Sequence, residues 1–257
     1  QGTGIVRFGQ FKMPFGFETP QSSGSRLPLE RNWLSRWTFP GERDTGILYM
    51  WTRPEDHALF EAAKKNDFGT GDYGNISLGF VNGQGANNSE RNSNKHFIAR
   101  VAKPFEVQIG ETPTYAELGA SFFSGRYLSS ATTPNSEFED RMFGIHGSLA
   151  PNPFGLQAEY FTGETEGDDV DGWYVMGLWR PTSNPNGVAF VRYDEYNGPR
   201  KGKGAGRVYD VERTTVGYAH MLDANTRLTV EYNHVEATPD PSAAEDDMIG
   251  VQLMIKY

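Results

Sequence analysis

The residues best suited to chemistry concentrate between Pro14 and Glu42. Arg26, Arg31 and Arg36 recur every five residues, accompanied by Trp33, Trp37 and Phe39, with Glu30 as the nearby counter-charge. Fixed guanidinium groups beside a narrow wet passage raise the local anion concentration and lower the barrier an anion must cross. Without such a passage, the same segment reads as a surface loop whose tryptophans pack on its own base. A second set of charges sits inside segments of alternating polarity: Arg7, Arg100, Glu159, Arg192 and Glu231. Glu159 and Glu231 fit the carboxylate pair of a glycosidase groove. They fit equally well as charges on the wall of a water-filled lumen.

Other chemistry finds little footing. The histidines His57, His96, His146, His220 and His234 form no metal-binding or protease pattern, and no Gly-Xaa-Ser-Xaa-Gly is present. The run Gly202-Lys203-Gly204-Ala205-Gly206 neither follows a strand nor precedes a helix, as a phosphate loop must. The chain has no cysteine, so disulfides, thiolate metal sites and a cysteine nucleophile are excluded. Asp168, Asp169 and Asp171 supply hard oxygen ligands, but their spacing matches no twelve-residue calcium loop. The acidic segments 164–171 and 240–247 read as solvated surface or as contacts to divalent cations around lipopolysaccharide. No enzyme activity, cofactor or protein-held metal is expected.

The elements that position these charges are strands. In 154–163, Leu156, Ala158 and Tyr160 alternate with Gln157 and Glu159. In 187–196, Ala189, Val191 and Tyr193 alternate with Arg192 and Asp194. In 226–235, Leu228, Val230 and Tyr232 alternate with Thr229, Glu231 and Asn233. About twelve such segments are predicted, near 4–13, 44–53, 73–82, 95–103, 115–125, 139–149, 154–163, 172–181, 187–196, 212–221, 226–235 and 247–257. One short helix is predicted over 55–65, where Ala58, Leu59, Ala62 and Ala63 recur at helical spacing.

Glycine, at 30 of 257 residues, exceeds a typical ~7%. No stretch approaches the ~20 apolar residues of a membrane helix. Strands of about 9–11 alternating residues remain able to span a bilayer as a barrel. The last segment runs Ile249, Val251, Leu253, Ile255 and Tyr257 on one parity, so Tyr257 is placed as an aromatic at the membrane interface. The net charge of −9 argues against nucleic acid as a partner. The opening residues carry no basic region followed by an apolar run, which predicts a mature product or a piece of a longer chain.

Connections alternate in length. Ala150–Pro153, Thr182–Asn186 and Leu222–Asn225 are short, whereas Gly163–Asp171, Asn197–Val211 and Glu236–Asp246 are long and polar. Short turns on one side and long loops on the other is the build of an outer-membrane barrel. Two segments on the short side break the rule, Pro54–Asp72 and Pro104–Thr114. The first is explained by an inserted periplasmic element or by a strand count that is wrong by two.

Several fragments in order resemble one family. Val6-Arg7-Phe8-Gly9-Gln10-Phe11-Lys12-Met13-Pro14-Phe15-Gly16-Phe17-Glu18 is similar to a motif of the phosphate-selective porins of Gram-negative outer membranes. Leu27-Pro28-Leu29-Glu30-Arg31, Arg43-Asp44-Thr45-Gly46-Ile47 and Phe80-Val81-Asn82-Gly83-Gln84-Gly85 follow, then 118–125, 230–233 and Ile249-Gly250-Val251-Gln252-Leu253.

The resemblance implies an all-β, antiparallel transmembrane barrel, sixteen-stranded in the family, with a long loop folded back to narrow the channel. It implies a single domain over 1–257 that lacks the family's N-terminal strands, and a homotrimer among outer-membrane lipid and lipopolysaccharide. It implies passive diffusion of small hydrophilic or anionic solutes. Arg7, Arg26, Arg31, Arg36, Arg100, Glu159, Arg192 and Glu231 are then the expected pore-lining or constriction residues. A plugged barrel that anchors an envelope assembly, and a soluble sandwich binding carbohydrate, are the competing readings.

Overall fold

The computed structural model describes residues 2–65, 69–70, 73–129, 136–202, 207–238 and 247–256. One antiparallel sheet of twelve strands runs in strict chain order. The strands are β1 (Thr3–Lys12), β2 (Arg43–Thr52), β3 (Ile76–Val81), β4 (His96–Ile109), β5 (Thr112–Ser129) and β6 (Ser136–Leu149). They continue as β7 (Phe154–Thr165), β8 (Asp168–Trp179), β9 (Gly187–Pro199), β10 (Val208–Met221), β11 (Thr226–Thr238) and β12 (Asp247–Ile255). No helix among the described residues is long and apolar enough to cross a membrane. Helix α1 spans Trp33–Thr38 and α2 spans Pro54–Lys65.

The two faces differ in kind because side chains alternate along a strand. One face exposes Phe8, Ile47, Leu78, Phe80, Val101, Leu118, Phe143, Ile145, Leu156, Val175, Val191, Val216, Val230 and Val251. A soluble domain would not leave so continuous an apolar band uncovered. Its lower rim carries Phe154 opposite Trp179, and its upper rim Trp173 beside Tyr193 at 5.3 Å between ring centroids. Aromatics at both edges of an apolar band mark the two lipid–water interfaces. Beyond the upper rim the outward positions turn acidic within one or two steps: Glu139, Glu164, Asp171, Glu195, Glu212 and Glu236.

That change of chemistry explains the main differences from the predicted strand ends. The segment 163–171 is not a loop. β7 and β8 continue through it to a two-residue turn at Glu166-Gly167, with φ of 53° and 87°. Left-handed backbone at both central residues is the turn that matches the twist of a hairpin. Likewise β9 runs to Pro199 and β10 begins at Val208, so both ends of the expected loop 197–211 are strand. Hydrophobic alternation vanishes there because the outward neighbour is water, although the ladder persists. The described part of the expected loop 236–246 begins as strand, with β11 running to Thr238.

The two exceptions on the short side belong together. Pro54–Asp72 contains α2, as predicted for 55–65. Pro104–Thr114 is no long turn: β4 and β5 pair down to Ile109↔Thr112, closing at Gly110 with φ of 62°. Helix α2 packs against this extended ribbon. Its Asp56 accepts from Asn75 Nδ2 at 2.8 Å and from Lys103 Nζ at 2.6 Å.

Candidate functional site

The inward face of the sheet is polar and lined with charge: Arg100 on β4, Glu117 on β5, Asp140 and His146 on β6, Glu159 on β7, Arg192 and Asp194 on β9, Arg213 on β10, and Arg227 and Glu231 on β11. A strand that must satisfy lipid on one side and water on the other alternates in this way. The segment 13–42 does not leave the sheet as a surface loop. It crosses this inner face, and Phe15, Phe17, Trp33, Leu34, Trp37 and Phe39 are all buried there.

The loop is held by its backbone, and the wall charges are the fasteners. The carbonyl of Gly16 accepts from Arg100 Nε at 3.1 Å, that of Glu30 from Arg192 Nη2 at 3.1 Å, that of Arg31 from Arg213 Nη2 at 2.6 Å, and that of Arg26 from Arg227 Nη2 at 2.6 Å. Carboxylates hold the amides. Glu159 accepts from the N–H of Phe17 at 3.0 Å and of Glu18 at 2.7 Å, and Glu231 accepts from the N–H of Leu29 at 2.9 Å. A loop buried inside a barrel must have its backbone groups paired, and these side chains supply the partners.

Two ion clusters complete the clamp. Glu18 meets Arg192 at 3.1 Å, while Asp194 takes both Arg192, at 3.2 Å, and Arg213, at 3.0 Å. Arg31 binds the carbonyls of Glu18 and Gln21 and pairs with Glu42. Burial alone would raise the Glu42 carboxyl, yet Arg31 and Lys12 hold it below the usual carboxylate range. Asn32 caps α1, its side chain accepting from the N–H of Ser35 at 2.8 Å. The helix then aims Trp33 and Trp37 at each other, 4.8 Å between centroids, and Trp37 at Tyr196 and Tyr209, 5.3 and 5.2 Å away. At the mouth above, Lys201 donates its N–H to the Trp37 carbonyl and pairs through Nζ with Asp140.

The expected site residues therefore divide. Arg26, Arg31, Arg100, Glu159, Arg192 and Glu231 are buried at the contact between loop and wall. Arg36 is half-exposed, 3.8 Å from Glu30 and stacked over Trp33 at 5.3 Å. Arg7 points inward from β1, half-buried, 5.6 Å from the ring of Tyr73. Tyr257 lies outside the described residues. Sequence reading passed over Arg213, Arg227 and Glu18 as loop-holding groups. The parity of Val211, Arg213 and Thr215, opposite to the outward Val216, was the signal for the first. Among the described residues no group of three or more acidic or histidine side chains is placed to hold a metal ion.

Residues 1–136, just over half of the chain, match the sequence profile of the family described as phosphate-selective porin O and P. No curated protein matches the chain by sequence. Among solved structures, OmpT of Vibrio cholerae with loop L8 deleted superimposes with a TM-score of 0.57 at 12% identity, over 98% of this chain and 75% of that one. OccK10 (OpdN) of Pseudomonas aeruginosa gives 0.53 at 11% identity, over 84% and 61%. A BenF-like porin from Pseudomonas fluorescens Pf-5 gives 0.52 at 10% identity, over 84% and 55%. At such identities the likeness is one of fold, that of an outer-membrane β-barrel.

Proposed function

The chain belongs to the phosphate-selective porin O and P family, a porin of the Gram-negative outer membrane, and from that premise we propose that it passes small hydrophilic solutes with a bias towards anions. The observation that carries this reading is the course of segment 13–42 across the inner face of the sheet, which supports a role for it in narrowing the lumen. The segment's own charges balance, Arg26, Arg31 and Arg36 against Glu18, Glu30 and Glu42, so the bias rests on Arg36. Arg36 keeps a half-exposed guanidinium within this segment, where it meets a passing ion. Diffusion through such a channel needs neither cofactor nor catalysis. A homotrimer seated in lipid and lipopolysaccharide through the apolar belt is part of the same proposal.

A second reading has its own observation. The wall charges Arg100, Arg192, Glu159 and Glu231 are occupied by the loop, which suits a plugged barrel that anchors an envelope assembly. Reversal potential across a planar bilayer in a potassium chloride gradient separates the two. The channel gives stepwise current and an anion-favouring potential that weakens in Arg36→Ala. A cation-favouring potential overturns the bias. Folded protein that carries no current supports the anchor.

A further inference from the structure

The turn Gly16–Glu18 presents three successive backbone N–H groups to the wall. That of Gly16 donates to Ser121 Oγ at 3.0 Å, that of Phe17 to Glu159 Oε2 at 3.0 Å, and that of Glu18 to Glu159 Oε1 at 2.7 Å. Gly16 has φ of 65°, and a Cβ there would overlap Glu159 Oε2, so the carboxylate sits directly against the turn. Converging amides with left-handed backbone between them form an anion-binding concavity. A second feature points to the same ligand chemistry. Arg100 binds the carbonyl of Gly16 through Nε, pairs with Glu117 through Nη2 at 2.6 Å, is itself fully buried, and keeps Nη1 without a hydrogen-bond partner among the described residues.

We propose that the Gly16–Glu18 turn is an oxyanion-binding site that the chain fills with its own Glu159, so that an anionic solute in the lumen competes with Glu159 for the amides. The proposal rests on the channel reading but concerns one site within it. Solute and wall carboxylate present the same group to the same donors. When a solute carboxylate or phosphate takes the amides, Glu159 keeps Tyr174, whose hydroxyl already donates to it at 2.6 Å. The loop is then released from β7, while its ties to β9, β10 and β11 through Arg192, Arg213 and Arg227 remain.

The test removes the internal occupant. Calorimetry of folded, detergent-solubilised protein with acetate and with inorganic phosphate compares wild type, Glu159→Ala and Glu231→Ala. Emptying a site that its own ligand fills most of the time raises apparent affinity by about ten-fold or more. Glu159→Ala is expected to bind acetate, phosphate or both at least that much more tightly than wild type, and the two probes show which anion the turn favours. Glu231→Ala removes an equal charge from the same lumen but frees one backbone amide, that of Leu29, and the side-chain amide of Asn233. Equal gains in both alanine variants would reduce the effect to net charge and overturn the site. No gain in folded Glu159→Ala would overturn it as well. If Glu159→Ala does not fold, Glu159→Gln keeps the shape, turns one acceptor into a donor facing an amide, and must show the same direction of change. Current through a bilayer plays no part in this readout, so a failure of the channel reading registers separately.

Discussion

Val191 and Arg192 are chain neighbours on β9 with opposite surroundings, and exchanging their chemistry tests which side of the sheet faces lipid. Val191 is 54% exposed in the middle of the apolar belt, between Ala189 and Tyr193 on its own face. An arginine on the lipid face near the bilayer midplane costs about 2–4 kcal/mol, a factor of roughly 30 to 700 in the folding equilibrium. Arg192, one residue on, is fully buried with Glu18 at 3.1 Å and Asp194 at 3.2 Å. Replacing it leaves the buried Glu18 without its Arg192 partner, while Asp194 keeps Arg213, and costs about 3–5 kcal/mol.

Reversible folding into lipid vesicles, followed by urea titration and heat-modifiable mobility, reads both. Val191→Arg is expected to lose about 2–4 kcal/mol and Val191→Leu less than about 0.5 kcal/mol. Arg192→Val is expected to be the more damaging, although it makes the chain more apolar. A Val191→Arg protein as stable as wild type would refute the lipid-facing assignment of this parity, and with it the orientation of the whole inner wall.

Two other outcomes follow from the loops. Asp44 accepts from the N–H of Thr45 at 2.7 Å and of Gly83 at 2.6 Å, tying the base of the long loop to the connection after β3, so Asp44→Ala should destabilise by about 1–3 kcal/mol and speed proteolysis within 82–95. In the turn after β10, Asp223 accepts from the N–H of Asn225 and of Thr226, at 2.8 and 2.9 Å, and these bonds hold its carboxyl below the usual value. A depressed folded value means that its contribution is present above the unfolded pKa, ~3.9, and is lost as pH falls through the folded one. NMR titration should find Asp223 below the ordinary aspartate range, and a value at or above it would contradict the turn geometry.

Much of this architecture is written in side-chain parity. The pairs Leu156/Glu159, Val191/Arg192 and Val230/Glu231 each place one residue against lipid and one inside, and all twelve strands stand where alternation put them. Strand ends were harder to read, because above the belt Glu164, Asp171, Glu195 and Glu212 replace the apolar partner while the backbone ladder goes on. The six-residue helix Trp33–Thr38 left no periodic signal, being shaped by the wall it packs on and by the Asn32 cap. The sequence also shows which charges point inward but not what they touch. Arg100, Arg192, Glu159 and Glu231 read as bare lumen charges, whereas each is bound to backbone 84 to 202 residues away in the chain. Contacts at that separation depend on the closed course of the loop, which no local pattern encodes.

Segment 13–42, which crosses the inner face of the sheet with Trp33 and Trp37 buried beneath it, is proposed to narrow an aqueous path. Single-channel recording of wild type beside a Trp33→Ala/Trp37→Ala variant addresses it most directly, because those two rings fill the space between loop and wall without holding the backbone. Stepwise current is expected in both, with larger steps in the variant. Identical step sizes, or folded protein of either kind that passes no current, would contradict it.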